Sequence, residues 1–299
     1  MRSWSLPGCA VCFIMLASLV MTVSAADPPR EFAFETGVEY SNPDNQHLAM
    51  NIALPKPTTG LRPVILCIHG GGFRAGTRDS YDGLCKQLAE RGYVAATTSY
   101  RLAPKYQFPA AIHDVKAAVR FLRANAEKYQ IDPNKIGVVG GSAGGHLVQF
   151  LGVTGGVAQF EGEGGNPTQS SRVSCVVNFY GPSDFTKSYG KSVDAAEVLP
   201  LWFGGDLQTE LHKHQIGSPL NWVTPEAAPT LLIHGTEDPY VAFEQAEWMQ
   251  ARLQQVGVEV EMLKLEGAGH GFQGADADQA NAAMFEFFDR HYPRVTSKE

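Results

Sequence analysis

The stretch Lys135-Ile136-Gly137-Val138-Val139-Gly140-Gly141-Ser142-Ala143-Gly144-Gly145-His146-Leu147-Val148-Gln149-Phe150-Leu151 says most about the fold. Its opening residues, Lys135 to Val139, end in a short apolar run of the kind a buried strand needs. Ala143 to Leu151 reads as a helix. Between them lies Gly140-Gly141-Ser142-Ala143-Gly144, a G-x-S-x-G turn from strand to helix. Small neighbours are needed there because the serine sits on a tight turn with strained backbone angles. A Cβ on either side would meet the adjoining strand and helix. The helix that starts behind Ser142 adds positive potential where an oxyanion would form. A dinucleotide-binding turn would need an acidic residue at the end of the next strand, and Cys175 to Tyr180 supplies none. A phosphate-binding loop would need G-K-[ST], which is missing.

Working outward, strand and helix patterns alternate. Leu48 to Leu54, Pro63 to Ile68, Tyr93 to Tyr100, Cys175 to Tyr180, Thr230 to His234 and Val258 to Leu265 read as strands. Tyr81 to Arg91, Pro109 to Tyr129, Phe243 to Gln255 and Ala275 to His291 read as helices; Ile112, Val115, Val119 and Leu122 share one face of the second. This alternation predicts an α/β fold, a mostly parallel sheet with helices on both faces. Gly152 to Arg172 reads as a long loop. Phe185 to Val223, with scattered aromatics and short helical patterns, reads as a small cap over a site.

A serine nucleophile needs a base, and the base needs an acid to orient it. His270 lies in Glu266-Gly267-Ala268-Gly269-His270-Gly271-Phe272, a glycine-rich loop after a strand, and is the better base. His291 also follows Ser142 but ends an amphipathic helix. Asp238, in His234-Gly235-Thr236-Glu237-Asp238-Pro239, stands at the carboxyl end of a strand, where α/β sheets place chemistry. Asp184 after the preceding strand is the rival acid, and adjacent Glu237 is expected to point elsewhere. His69-Gly70-Gly71-Gly72-Phe73 would aim backbone N–H groups from Gly71 and Gly72 at an oxyanion, together with that of Ala143. His69 is expected to brace that loop, His234 to be a hydrogen-bonded structural residue, and His146 to pack near the turn. His212 and His214 have the look of a metal pair, but a solvated helical segment is the preferred reading, so no metal or cofactor is predicted. Phe73, Tyr180, Trp202, Phe203, Tyr240 and Phe272 are candidate pocket-lining or core residues.

The chain has 299 residues, 44% hydrophobic and 18% charged, an ordinary globular composition. Arg2, the apolar run Val11 to Val23 and the small residues Val23-Ser24-Ala25 read as a signal peptide over residues 1–25, cleaved near Ala25. The run is shorter than the ~20 residues of a spanning helix, so no stable membrane insertion is expected after cleavage. Residues 26–299 are then one domain, secreted or periplasmic. Loss of Arg2 takes the net charge from −7 to −8. An acidic chain without a Lys/Arg block argues against nucleic-acid and anionic-membrane binding. Cys67, Cys85 and Cys175 remain, an odd count that makes no disulfide framework; Cys67 and Cys175 read as buried packing residues.

Together these motifs resemble the esterase/lipase group of α/β-hydrolases related to hormone-sensitive lipase, and most closely its compact bacterial feruloyl and acetyl esterase-like members. The resemblance rests on His69 to Phe73, Ser99-Tyr100-Arg101-Leu102-Ala103-Pro104, Asp132-Pro133-Asn134-Lys135-Ile136, Gly140 to Gly145, Gly181-Pro182-Ser183-Asp184, His234 to Asp238 and Gly267 to Phe272, in family order across nearly the whole of residues 26–299. It implies an α/β-hydrolase fold with a small insertion after the sixth strand, a triad of Ser142, Asp238 and His270, and oxyanion donors from Gly71, Gly72 and Ala143. Gly141 stands where relatives usually carry aspartate, and the first strands follow residue 25 almost at once. Both departures favour the compact branch. The implied function is serine carboxylester hydrolysis through an acyl-enzyme, on short-chain or aromatic acyl esters, either small molecules or acetyl and feruloyl esters of polysaccharide. The rivals are a secreted serine peptidase of the prolyl-oligopeptidase type, for whose propeller the chain has no room, and a non-catalytic binding protein on the same fold.

Overall fold

The computed structural model describes residues 30–57 and 60–293, together with Met1. The expected signal peptide, residues 1–25, lies outside the described residues apart from Met1. Among the described residues there are eight strands: β1 (Phe32–Ser41), β2 (Leu48–Pro55), β3 (Arg62–Ile68), β4 (Val94–Thr98), β5 (Ile131–Gly141), β6 (Cys175–Phe179), β7 (Thr230–Gly235) and β8 (Val260–Leu265). They form one sheet in the order β1-β2-β4-β3-β5-β6-β7-β8. From β4 to β8 all neighbours are parallel; β1 and β2 add an antiparallel edge. The reading of the sequence missed β1. That edge strand is largely half-buried or exposed and shows no clean alternation.

Helices α1 (Asp82–Glu90), α2 (Ala110–Ala124), α3 (Ala126–Tyr129), α4 (Ala143–Val153), α5 (Ala195–Phe203), α6 (Leu211–Ile216), α7 (Glu244–Gln255) and α8 (Gly274–His291) complete the domain. The long helix expected to Tyr129 breaks at Asn125, between α2 and α3. Alternation along β3 divides the core. Val64, Leu66 and Ile68 pack with Ile112, Val115 and Leu147 from α2 and α4. Ile65 and Cys67 pack on the other face with Leu88 of α1 and Met284 and Phe288 of α8. Cys67, Cys85 and Cys175 are buried free thiols.

Register brings the strand ends level. Ile68 pairs with Gly140, Gly141 with Phe179, Phe179 with Ile233, and Gly235 with Leu265. The residues that follow, from His69, Ser142, Tyr180, Thr236 and Glu266 onward, therefore emerge at one carboxyl edge, where open α/β sheets place their sites.

The long loop between α4 and β6 is tied down by α2. Lys116, wholly buried, donates to Thr154 O (2.7 Å), Glu161 Oε1 (2.9 Å) and Ser171 Oγ (3.2 Å). One turn on, Arg120 donates to Glu161 Oε2 (3.0 Å) and to the carbonyls of Glu161 and Gly164. Removing one partner of such a network leaves buried charge uncompensated, at about 3 kcal/mol. Glu161→Gln is expected to lower unfolding free energy by about 2–4 kcal/mol in denaturant titration; a change below ~1 kcal/mol would show that the network carries little stability.

Candidate active site

The turn between β5 and α4 puts Ser142 at φ 57°, ψ −122°. Its N–H donates to Phe179 O (2.9 Å) and its carbonyl accepts from His146 N–H (2.9 Å), so both neighbours grip the reversed residue. A Cβ on Gly144 would stand 2.1 Å from Ile68 O, so helix and strand approach this closely only with glycine there.

Ser142 Oγ lies 2.9 Å from His270 Nε2, and His270 Nδ1 lies 2.7 Å from Asp238 Oδ2. Asp238 is buried, 7% exposed. Its Oδ1 accepts from the N–H groups of Tyr240 and Val241, each at 2.9 Å. His234 Nε2 stands 3.3 Å from Oδ2 while donating to Val241 O at 2.8 Å. Burial by itself would raise the Asp238 pKa, but hydrogen bonds from His234, His270 and Val241 outweigh it and hold the carboxyl far below its ordinary range. An ionised Asp238 accepts from Nδ1–H, which leaves Nε2 as the acceptor facing Ser142.

The two rivals are placed elsewhere. Asp184 Oδ1 accepts from Thr186 N–H and Oγ1, and Oδ2 pairs with Lys187 at 2.9 Å. His291 donates to Phe287 O at the far end of α8. Glu237 is exposed.

A cavity of about 590 Å³ opens above Ser142 and His270, with Gly71, Gly72 and Ala143 in its wall. No acceptor among the described residues takes the N–H of Gly71 or Gly72. The N–H of Ala143, in the first turn of α4, has no intrahelical acceptor. The glycine loop is braced from both ends. His69 stacks on Tyr100 with centroids 4.3 Å apart, and its Nδ1 bonds Gly70 O at 2.8 Å. Phe73, at φ 59°, stacks on Trp202 of α5 at 3.8 Å and 5°.

Phe73, Tyr180 and Tyr240 line the cavity, and Tyr180 and Tyr240 flank His270 at 4.7 and 5.2 Å. Trp202, Phe203 and Phe272 do not line it. Trp202 and Phe203 are fully buried, because α5 turns them inward behind Phe73, and Phe272 packs on the outer side of Tyr180. The cap segment supplies Phe185, Ala195, Val198 and Leu199 to the wall. His214, expected in solvent, is buried, its Nε2 3.0 Å from Tyr189 Oη. Among the described residues no cluster of three or more His, Cys, Asp or Glu is placed to hold a metal ion.

The reading of the sequence missed Gln245 and Tyr81, and gave His234 its hydrogen-bonded structural role without naming Asp238 as the partner. His234 is a second imidazole on Asp238, detectable only as a His and Asp four apart at a strand end. Gln245 of α7 accepts the N–H groups of Ser183 and Asp184 at 2.9 and 2.7 Å and lines the cavity. Tyr81 stands over Gly141. A Cβ there would sit 3.0 Å from the Tyr81 hydroxyl and 3.2 Å from that of Tyr180, so a larger residue would require these side chains to shift.

The BD-FAE family profile matches residues 50–253, a span with the glycine loop, the serine turn and Asp238. The chain belongs to the BD-FAE family. It is 36% identical over 221 residues to Esterase LipC of Mycobacterium tuberculosis, covering 72% of this chain and 54% of that protein. This member of BD-FAE spans about half the length of the curated relatives it matches. It superposes on a truncated form of a carbohydrate esterase from gut microbiota with a TM-score of 0.79 at 29% identity, over 89% of this chain and 99% of that one. Thermogutta terrifontis esterase 2, phosphonylated by sarin, gives 0.76 at 25% identity over 87% and 96%. The α/β-hydrolase fold expected from the motifs is the fold observed.

His146 is wholly buried under the serine turn, beside Phe73, Phe185 and Trp202. Burial lowers its pKa to about 3, against a bond to Pro182 O that acts the other way. Between about pH 6.5 and 3 the unfolded chain binds a proton here that the folded chain refuses. The stability present above 6.5 is therefore lost as pH falls, at up to ~1.4 kcal/mol per pH unit. His146→Asn should flatten this part of the stability–pH curve; an unchanged slope would show that His146 does not set it.

Proposed function

We propose that the protein is a serine carboxylester hydrolase. The observation that carries this reading is the continuous chain Ser142–His270–Asp238, at 2.9 and 2.7 Å, facing a cavity walled by free N–H groups. The named esterases among its relatives and structural neighbours support it.

The reaction follows from the geometry. Ser142 Oγ attacks the ester carbonyl while His270 Nε2 takes its proton, and the ionised Asp238 stabilises the imidazolium and fixes its orientation. The N–H groups of Gly71, Gly72 and Ala143 bind the oxygen as it becomes an anion, each such donor accounting for on the order of 10²–10³ in rate. Collapse breaks the ester C–O bond, and His270 gives its proton to the leaving alcohol. Water, activated by the same histidine, then cleaves the acyl-enzyme to carboxylic acid and free Ser142. The apolar wall of Phe73, Phe185, Val198 and Leu199 beside the glycine loop takes the acyl group. It suits short-chain or aromatic acyl groups, including acetyl and feruloyl esters of polysaccharide. Residues 1–25 export the protein to the periplasm or medium, so the mature chain starts at Ala26.

Ser142→Ala should lower kcat on p-nitrophenyl acetate by at least about 10³-fold while leaving the circular dichroism spectrum unchanged. Retention of wild-type turnover would refute the proposal. Hydrolysis of an amide as fast as its matching ester would favour the peptidase reading.

A further inference from the structure

His234 is fully buried at the end of β7, and its side chain turns back onto the loop that the strand launches. Val241 O lies 2.8 Å from Nε2. A carbonyl only accepts, so Nε2 carries the ring hydrogen. Nδ1 is buried and has no hydrogen-bond partner among the described residues. The ring therefore presents one N–H, in one fixed direction. Oδ2 of Asp238 stands 3.3 Å from the same nitrogen. This is also the oxygen that His270 Nδ1 bonds at 2.7 Å. Two imidazoles thus meet at one carboxylate oxygen, and the reaction as described uses only one of them.

His234 is not what brings acid and base together. The N–H of Glu237 donates to Ala268 O at 3.0 Å and that of Gly267 to Thr236 Oγ1 at 2.9 Å, so the loops of Asp238 and His270 are tied directly. Oδ1 is held by the N–H groups of Tyr240 and Val241. What His234 adds acts at Oδ2. Burial pushes the Asp238 pKa up, and the hydrogen bond from His234 stands first among those that bring it down. The other groups nearby do less there. Tyr180 and Tyr240 pack on His270. Phe243 meets His234 edge-on at 5.8 Å, and Lys264 lies over that ring. Glu244 pairs with Lys191, and Lys264 with Glu266, so these charges are balanced outside the triad.

We propose that His234 is a positioning residue for the hydrolysis, acting through Asp238: its fixed Nε2–H steadies the carboxylate and draws charge off the oxygen that faces His270. The inference rests on the esterase reading above. His270 has two duties, to take the proton of Ser142 and to give it to the leaving alcohol. A carboxylate with its full charge on Oδ2 would hold the imidazolium tightly, favouring the first duty and hindering the second. The positive end of the His234 N–H dipole, set beside Oδ2, moderates that hold. The same N–H fixes the Val241 carbonyl, and the N–H of Val241 grips Oδ1, so the carboxylate cannot rotate away from His270.

The test is the pH profile of kcat/KM on p-nitrophenyl acetate for wild type, His234→Phe and His234→Gln. Phe removes the donor; Gln keeps an amide N–H at the place of Nε2. In the Phe variant the acid limb should move up by about half a pH unit, because His270 then holds its proton more tightly, and the plateau should fall about tenfold. The Gln variant should keep the wild-type limb. A limb in the Phe variant that moves down or stays within about 0.1 pH unit of wild type would overturn the role, as would a Gln variant that shifts as Phe does. The wild type gives a second reading that needs no variant to fold. In ¹⁵N-labelled protein at neutral pH, His234 should carry a proton on Nε2 and none on Nδ1; the opposite tautomer would overturn the role. In each of these cases an active wild type leaves the esterase reading standing. A wild type inert on the ester would overturn that reading and this role with it.

Discussion

Ser142 holds φ 57°, ψ −122°, a region L-residues enter at a cost of about 1–3 kcal/mol. That single reversed residue ends β5, starts α4 and lifts Oγ clear of both. The turn exists only because Gly144 lets the helix settle on the Ile68 carbonyl and because Phe179 O and His146 N–H hold the serine backbone from two sides. Two more non-glycine residues with positive φ, Phe73 and Tyr180, line the same cavity. Strained backbone is thus gathered where the sheet's carboxyl edge meets the site. The surrounding packing has to hold it, and it does so through buried aromatic stacking and main-chain hydrogen bonds.

The insertion after β6 belongs to that support. Trp202 of α5 lies flat on Phe73, so the conformation of the glycine loop depends on a helix more than 120 residues further along the chain. Arg74, the next residue of the loop, pairs with Glu197 of the same helix. On the opposite side, Gln245 clamps the strand-end segment Ser183–Asp184 to α7. The electrostatic part is equally local. Four donors surround the Asp238 carboxylate, and they keep it ionised despite its burial.

Much of this was legible from residue order because it depends on short-range chemistry. Glycines around Ser142, an acid at a strand end and a histidine in a glycine-rich loop each announce a backbone problem that few residue types solve. The central strands were legible because burial on both faces makes them continuously apolar. What escaped depends on contacts between distant residues. β1 is an exposed edge without alternation. Trp202 looked like a pocket aromatic, since composition does not tell which way a helix faces; its partner Phe73 is what puts it in the core. The approach of Tyr81 to Gly141 joins residues far apart in the sequence. Lys116 and Arg120, on which no sequence motif falls, are buried against a loop some 40 residues away.

The central claim is that one serine, activated by a histidine hydrogen-bonded to the buried Asp238, is the nucleophile. Reaction of the purified protein with an alkyl fluorophosphonate, followed by intact mass and peptide mapping, tests it most directly. The account predicts a single adduct, on Ser142, formed in wild type and lost when His270 is replaced by alanine. Absence of an adduct, or an adduct on another serine, would contradict it.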